Sequence, residues 1–132
     1  SDFGFHNIIK NNKSKLFFID FEYSGMDDLV KLSNDFFFSS GNMLKKNQYE
    51  KFLDYIEKKL EVDDFFRQRI QIFEFSYRLK WLCIMLNQYT KNGLLKNEFI
   101  GIEISKENQK KKFDLIKLLF NSLENDFLFQ TS

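Results

Sequence analysis

The sequence predicts an α+β fold that is mainly α, and three observations carry that prediction. Two short apolar runs, Asn7-Ile8-Ile9 and Leu16 to Ile19, flank the polar, turn-forming segment Lys10-Asn11-Asn12-Lys13-Ser14-Lys15, which reads as a β-hairpin. Beyond residue 27, apolar side chains recur at helical spacing in about five stretches. The chain has no proline, so nothing interrupts those stretches by removing a backbone donor.

Taken in order, the hairpin is followed by a loop over Phe21 to Asp27, where Gly25 marks a turn. Asp27 or Asp28 can cap the next helix, expected over about 27 to 38, with Leu29, Val30, Leu32, Phe36 and Phe37 on one face and Ser39-Ser40-Gly41-Asn42 ending it. This helix is expected to pack beneath the hairpin. Gln48 to Leu60 places Tyr49, Phe52, Leu53, Ile56 and Leu60 along one stripe and charged residues around the rest, with Asn47 as cap. A further helix starts near Asp63-Asp64 and carries Phe65, Phe66, Arg69, Ile70 and Phe73. A break is expected near Glu74 to Ser76, then a helix from Tyr77 to Tyr89 whose apolar coating on nearly all sides calls for a buried position. Asn92-Gly93 reads as a helix end. Leu94 to Ile104 holds a short helix or wraps the surface, and Ser105 opens a last helix to about residue 125 through Phe113, Ile116, Leu119, Phe120 and Leu123.

Composition bounds the function. With 132 residues, no internal repeat and no linker, the chain reads as a single domain over 1 to 132, and its eighteen Phe make a bulky core. Twenty basic and nineteen acidic residues leave a formal charge of +1, which gives no general reason to expect nucleic acid or an anionic membrane as partner. The longest apolar runs are about half a dozen residues against the roughly twenty needed to cross a bilayer. Cys83 is the only cysteine and sits among Trp81, Leu82, Ile84 and Met85, so an internal disulfide is impossible and a buried thiol in the reducing cytoplasm is expected. Without Cys or His clusters a structural zinc site is excluded.

The chemistry concentrates in the first twenty-two residues. Asp2 and Asn7 form the pattern Asp-x-x-x-x-Asn, in which a carboxylate can accept the proton of an attacking hydroxyl while an amide oxygen ligates magnesium. Asp20 closes the second apolar run and would be the second metal ligand, because pairing the two runs brings Asn7 and Asp20 to one end of the ribbon. Glu22, two residues on, shares the face of Asp20 if the strand continues, and could touch a second magnesium directly or through water. Asp2-Phe3-Gly4 spells the metal-binding tripeptide of protein kinases, but it stands before the Asn rather than after it and is a decoy. An Asp and an Asn five apart are by themselves more often turn or capping residues. Adding Asp20 after an apolar strand supplies the parts that phosphoryl transfer needs, in order. His6, flanked by these groups, is read as structural, since alternate residues of an extended segment face apart.

These residues resemble the aminoglycoside phosphotransferase and choline kinase-like family, especially its bacterial members of unassigned substrate. Ser1 to Asn7 looks like that family's catalytic loop, Phe18-Ile19-Asp20-Phe21-Glu22-Tyr23 like its metal-binding segment, and Gly25 to Phe37 like the helix that follows. Arg78-Leu79-Lys80-Trp81 with Leu86-Asn87 is similar to a later helix of the bacterial subgroup, so the likeness spans roughly residues 1 to 90. It implies the C-terminal lobe of a protein kinase-like fold, with a short β-hairpin carrying the catalytic and metal residues on about five helices. It further implies Asp2 as catalytic base, Asn7 and Asp20 as magnesium ligands, ATP as phosphoryl donor, and a small-molecule acceptor: an amino alcohol, a sugar or an aminoglycoside.

Two departures accompany the likeness. Lys31 stands where many members carry an Asp that braces the catalytic loop. Glycines occur only at 4, 25, 41, 93 and 101, so no phosphate-cradling cluster exists and the family's N-terminal nucleotide lobe has no counterpart here. The chain is therefore read as the C-terminal portion of a larger kinase-like protein, expected to be inactive alone; the other reading is a non-catalytic helical scaffold or binding module kept from such a lobe. Glu74, Tyr77, Arg78 and Trp81 are candidates to line the acceptor pocket.

Overall fold

A computed structural model describes residues 3–20, 25–39, 44–101 and 105–130, with side chains as far as residue 125. It is mainly helical, with five α-helices and one two-stranded antiparallel sheet among the described residues. The elements are β1 (Ile8–Lys10), β2 (Leu16–Phe18), α1 (Leu29–Phe38), α2 (Lys46–Lys59), α3 (Phe66–Leu86), α4 (Lys91–Phe99) and α5 (Lys106–Gln130), with 3-10 turns at Phe5–Asn7 and Asn87–Tyr89. The expected number of helices is met, but by a different partition. Two compact units, residues 1–77 and 78–132, divide the chain, and the boundary falls inside α3. No described helix is long and apolar enough to cross a membrane.

The hairpin forms where the two apolar runs predict it, in the register Ile8↔Phe18, Ile9↔Phe17 and Lys10↔Leu16. Its turn is built by Asn11, whose side-chain oxygen accepts from the N–H groups of Lys13 at 2.9 Å and Lys15 at 3.0 Å, while Ser14 takes a left-handed φ of 60°. A run of aromatic rings ties the ribbon to the helices beneath it. Phe3 stacks on Phe18 at 6.0 Å and meets Phe36 of α1 at 5.1 Å, and Phe36 meets Phe52 of α2 at 4.9 Å. Ring pairs at these separations add about 1 kcal/mol each beyond their burial.

The core of the first unit is Val30, Tyr49, Leu53, Ile56, Phe66 and Ile70, contributed by α1, α2 and the first turns of α3. The helix starts follow capping chemistry. Asp28 Oδ1 accepts from Val30 N–H at 2.7 Å, and Asp63 Oδ1 accepts from Phe65 N–H at 2.9 Å. Asn47 is not a cap: α2 begins one residue earlier, and the Gln48 side chain reaches back to accept from Lys45 N–H at 2.9 Å. Inside the core, Tyr49 Oη donates to Asn34 Oδ1 at 3.3 Å, and Asn34 Nδ2 donates to the Ile70 carbonyl at 3.5 Å, so the polar groups there have partners.

Four further expectations fail. No break interrupts α3 near Glu74 to Ser76, because the sequence there holds no Gly or Pro and extending an existing helix costs little. The second half of α3 is not enclosed: Leu79, Ile84 and Leu86 are exposed and only Leu82 is buried, and Cys83 is an exposed thiol. Gly93 does not end a helix; it lies within α4, which starts after Thr90, whose hydroxyl accepts from Gly93 N–H at 3.1 Å. Glycine is needed there because a Cβ would overlap the Asn87 carbonyl oxygen. α5 starts as expected, with Ser105 Oγ accepting from Asn108 N–H at 3.2 Å, and runs on to Gln130.

Candidate functional site

Asn7 is the last residue of the first 3-10 turn, and Asp20 lies two residues beyond β2. The Ile19 N–H donates to the Asn7 carbonyl at 2.9 Å, one step past the Ile8↔Phe18 pair, so residues 7 and 19 are opposed and Asp20 follows at the same end of the ribbon. The hairpin thus does to Asn7 and Asp20 what their positions around two apolar runs predict. Asp2 and Glu22 lie outside the described residues.

Asp20 adopts a left-handed φ of 61°. Asp and Asn are the non-glycine residues that take this region most readily, yet it still costs on the order of 1 kcal/mol. Ser14 has a nearly identical φ, but it sits within the hairpin turn, where such a residue closes the loop. Asp20 lies at the end of a described stretch, two residues beyond β2. Asp20 is exposed, and its carboxylate is a hard oxygen donor of the kind magnesium takes. Among the described residues no group of three or more His, Cys, Asp or Glu is placed to hold a metal ion. His6 is exposed in the 3-10 turn.

At the start of α1, Lys31 Nζ bonds Asp27 Oδ2 at 2.7 Å and approaches Asp35 Oδ2 at 3.6 Å. The Asp27 hydrogen bond holds the Lys31 ammonium above its ordinary pKa against the opposing effect of burial. Lys31 is thus a base bound to two acids of its own helix region. Asp28, besides capping α1, accepts from Arg69 Nη1 at 3.3 Å, and Asp63 accepts from Arg69 Nη2 at 2.6 Å.

The four pocket candidates are divided between the two units. Glu74 lines a cleft of about 200 Å³ in the first unit with Lys46, Tyr49, Glu50 and Gln71. Burial pushes the Tyr49 hydroxyl well above its ordinary pKa, helped by the Glu74 and Glu50 carboxylates. Tyr77 is pushed up by burial and by Asp35. Arg78 and Trp81 belong to the second unit, where Arg78 Nη2 donates to Ser122 Oγ at 3.1 Å and Lys80 lies 5.5 Å from the Trp81 ring centre. Sequence reasoning also missed a cluster beside the cleft. Arg67 of α3 binds Glu50 at 2.8 Å, Asp54 at 2.5 Å and Glu57 at 2.8 Å, which raises the guanidinium pKa and lowers that of Glu57. The acids recur at i, i+4 and i+7 along α2, a spacing that the sequence displays but that reads as an ordinary solvated face.

No protein-family model, no curated protein and no solved structure matches this chain.

Proposed function

We propose that this chain is the catalytic-lobe portion of an ATP- and magnesium-dependent phosphotransferase acting on a small-molecule hydroxyl. The observation that carries the reading is the adjacency of Asn7 and Asp20 at one end of the hairpin, secured by the Ile19-to-Asn7 backbone bond. Bound magnesium would neutralise charge on the transferred phosphoryl group. In this reading the Asn7 amide oxygen and the Asp20 carboxylate hold the ion, Glu22 adds a ligand directly or through water, and the Asp2 carboxylate takes the proton of the acceptor hydroxyl. The left-handed backbone of Asp20 supports it, since costly backbone conformations cluster at functional sites.

Two substitutions in the intact protein that carries this chain test the proposal. Asp2→Asn is expected to lower ATP-dependent phosphorylation of an acceptor panel by about a hundredfold or more, the usual worth of a general base. Equal rates would remove the assignment. Asp20→Gly relaxes the left-handed φ and is expected to raise stability by about 1 kcal/mol while abolishing magnesium-dependent turnover. A stabilised variant with full turnover leaves Asp20 a mere turn residue.

One observation favours a second reading, a non-catalytic scaffold. Lys31 pairs with Asp27 and Asp35 where a catalytic brace is expected. That reading predicts no phosphoryl transfer from the intact protein with any acceptor, and no dependence of any activity on Asp2.

A further inference from the structure

The ribbon β1–β2 leaves backbone groups unpaired along its edges and keeps a set of apolar side chains about half exposed. In an antiparallel pair, residues that bond to each other across the ribbon alternate with residues whose N–H and C=O point away from it. The bonds from Ile19 N–H to Asn7 O and from Asn11 N–H to Lys15 O, at 2.9 and 3.0 Å, fix that alternation. Asn7/Ile19, Ile9/Phe17 and Asn11/Lys15 face inward, so Ile8 and Lys10 on one edge and Leu16 and Phe18 on the other face outward. The β1 edge is partly used, since Ile8 N–H donates to Phe5 O. On the β2 edge, neither Leu16 nor Phe18 makes a backbone hydrogen bond outside the ribbon among the described residues.

The side chains around that edge are apolar on both faces: Ile9, Leu16, Phe17, Phe18 and Ile19 are each between 42% and 52% exposed. The charge is one-sided. Residues 8 to 19 contain Lys10, Lys13 and Lys15 and no acid, in a chain whose formal charge is +1. None of the three forms an ion pair among the described residues, and Lys15 lies over the Phe17 ring at 5.3 Å.

We propose that the β2 edge accepts an extended, acidic segment of another polypeptide as a third strand, with apolar residues at alternate positions covering Phe17 and Ile19. Backbone pairing would supply affinity and the three lysines selectivity, as in other strand additions. A second copy of this chain is disfavoured, because edge-to-edge pairing would bring two unpaired lysine sets together. A lipid surface is disfavoured too, since inserting this edge would bury backbone groups with nothing to bond them.

The test uses the 132-residue chain and a fluorescein-labelled peptide of four Val-Glu repeats. Saturable binding is expected, with hydrogen-exchange protection of the Leu16 and Phe18 amides rising about tenfold and that of Lys10 unchanged. The charge reversal Lys13→Glu/Lys15→Glu, both in the exposed turn, should weaken binding by about tenfold or more and leave helical content intact. The same peptide methylated on alternate amide nitrogens should not bind, nor should a Val-Lys version. Any of the following overturns the proposal: no binding of the acidic peptide at millimolar concentration, affinity unaffected by the charge reversal or by methylation, protection mapping away from Leu16 and Phe18, dimerisation through these residues, or capture by phosphatidylcholine–phosphatidylserine vesicles in place of the peptide.

Discussion

The two units of this chain spend their apolar residues differently. In residues 1–77 three helices converge on six buried side chains, and Phe66, Leu53, Asn34 and Ser33 are almost completely shielded. In residues 78–132 only Leu82, Ile116 and Leu123 are buried among the described side chains, while Leu94, Leu95, Phe99, Leu115, Leu118 and Phe120 are exposed. Both units are rich in Leu, Ile and Phe. The difference lies in patterning: α2 confines its apolar residues to one stripe, whereas the second half of α3 spreads them around the helix, so a single neighbouring surface cannot cover them. Burial depends on convergence of stripes rather than on apolar content.

The largest expected effect sharpens that contrast. Phe66→Ala should destabilise the chain by about 4 kcal/mol, near the middle of the range for a fully buried aromatic. Leu123→Ala in the second unit should cost about 2 kcal/mol, the low end for its type, since sparsely covered sites collapse more readily. Urea unfolding of both variants measures the gap, and equal losses would show that the second unit is as tightly packed as the first.

Next is Gly93→Ala, an exchange that ordinarily stabilises a helix by about 1 kcal/mol. Here the added Cβ meets the Asn87 backbone, so a loss of about 2 kcal/mol is expected, with exchange protection falling in α4 and unchanged in α2. A stabilised variant would mean that α4 has room to shift off the preceding turn.

The smallest effect concerns alkaline pH and is confined to the first unit. Because the Tyr49 hydroxyl is held above its ordinary pKa, the folded state keeps a proton that the unfolded chain releases above about pH 10. Stability is therefore complete below that pH and falls as pH rises beyond it. Lys31, raised by Asp27, acts in the same direction but is more exposed and so contributes less. Tyr49→Phe should flatten the alkaline decline of the urea midpoint; an unchanged slope would assign the decline to other groups.

What the sequence disclosed depended on whether the relevant physics is local. The hairpin was legible because its strands are adjacent, its turn is polar and Asn11 can bond its own neighbours. The caps at Asp28, Asp63 and Ser105 were legible because a side chain accepting from the next turn requires nothing distant. Gly93 misled because Asn-Gly is a common helix ending, while the competing signal, Thr90 three residues earlier, is a helix start. Cys83 misled because apolar neighbours in sequence do not determine which face of a helix is covered. At the candidate site, the placement of Asn7 and Asp20 at one end of the ribbon followed from strand register, whereas the grouping around Arg67 joins two helices, and only the spacing of its acids shows in the sequence.

That grouping has an uneven tolerance to change. One guanidinium serves three acids on successive turns of α2, so losing any single acid leaves two still neutralising it. Losing the guanidinium instead leaves like charges spaced four and three residues apart, each such pair unfavourable by about 0.2 to 0.5 kcal/mol. A lineage drifting at these positions could discard the acids one after another at little penalty, but would have to shed most of them before it could safely lose Arg67. Order of substitution, rather than the identity of any one residue, sets which variants of this surface are reachable.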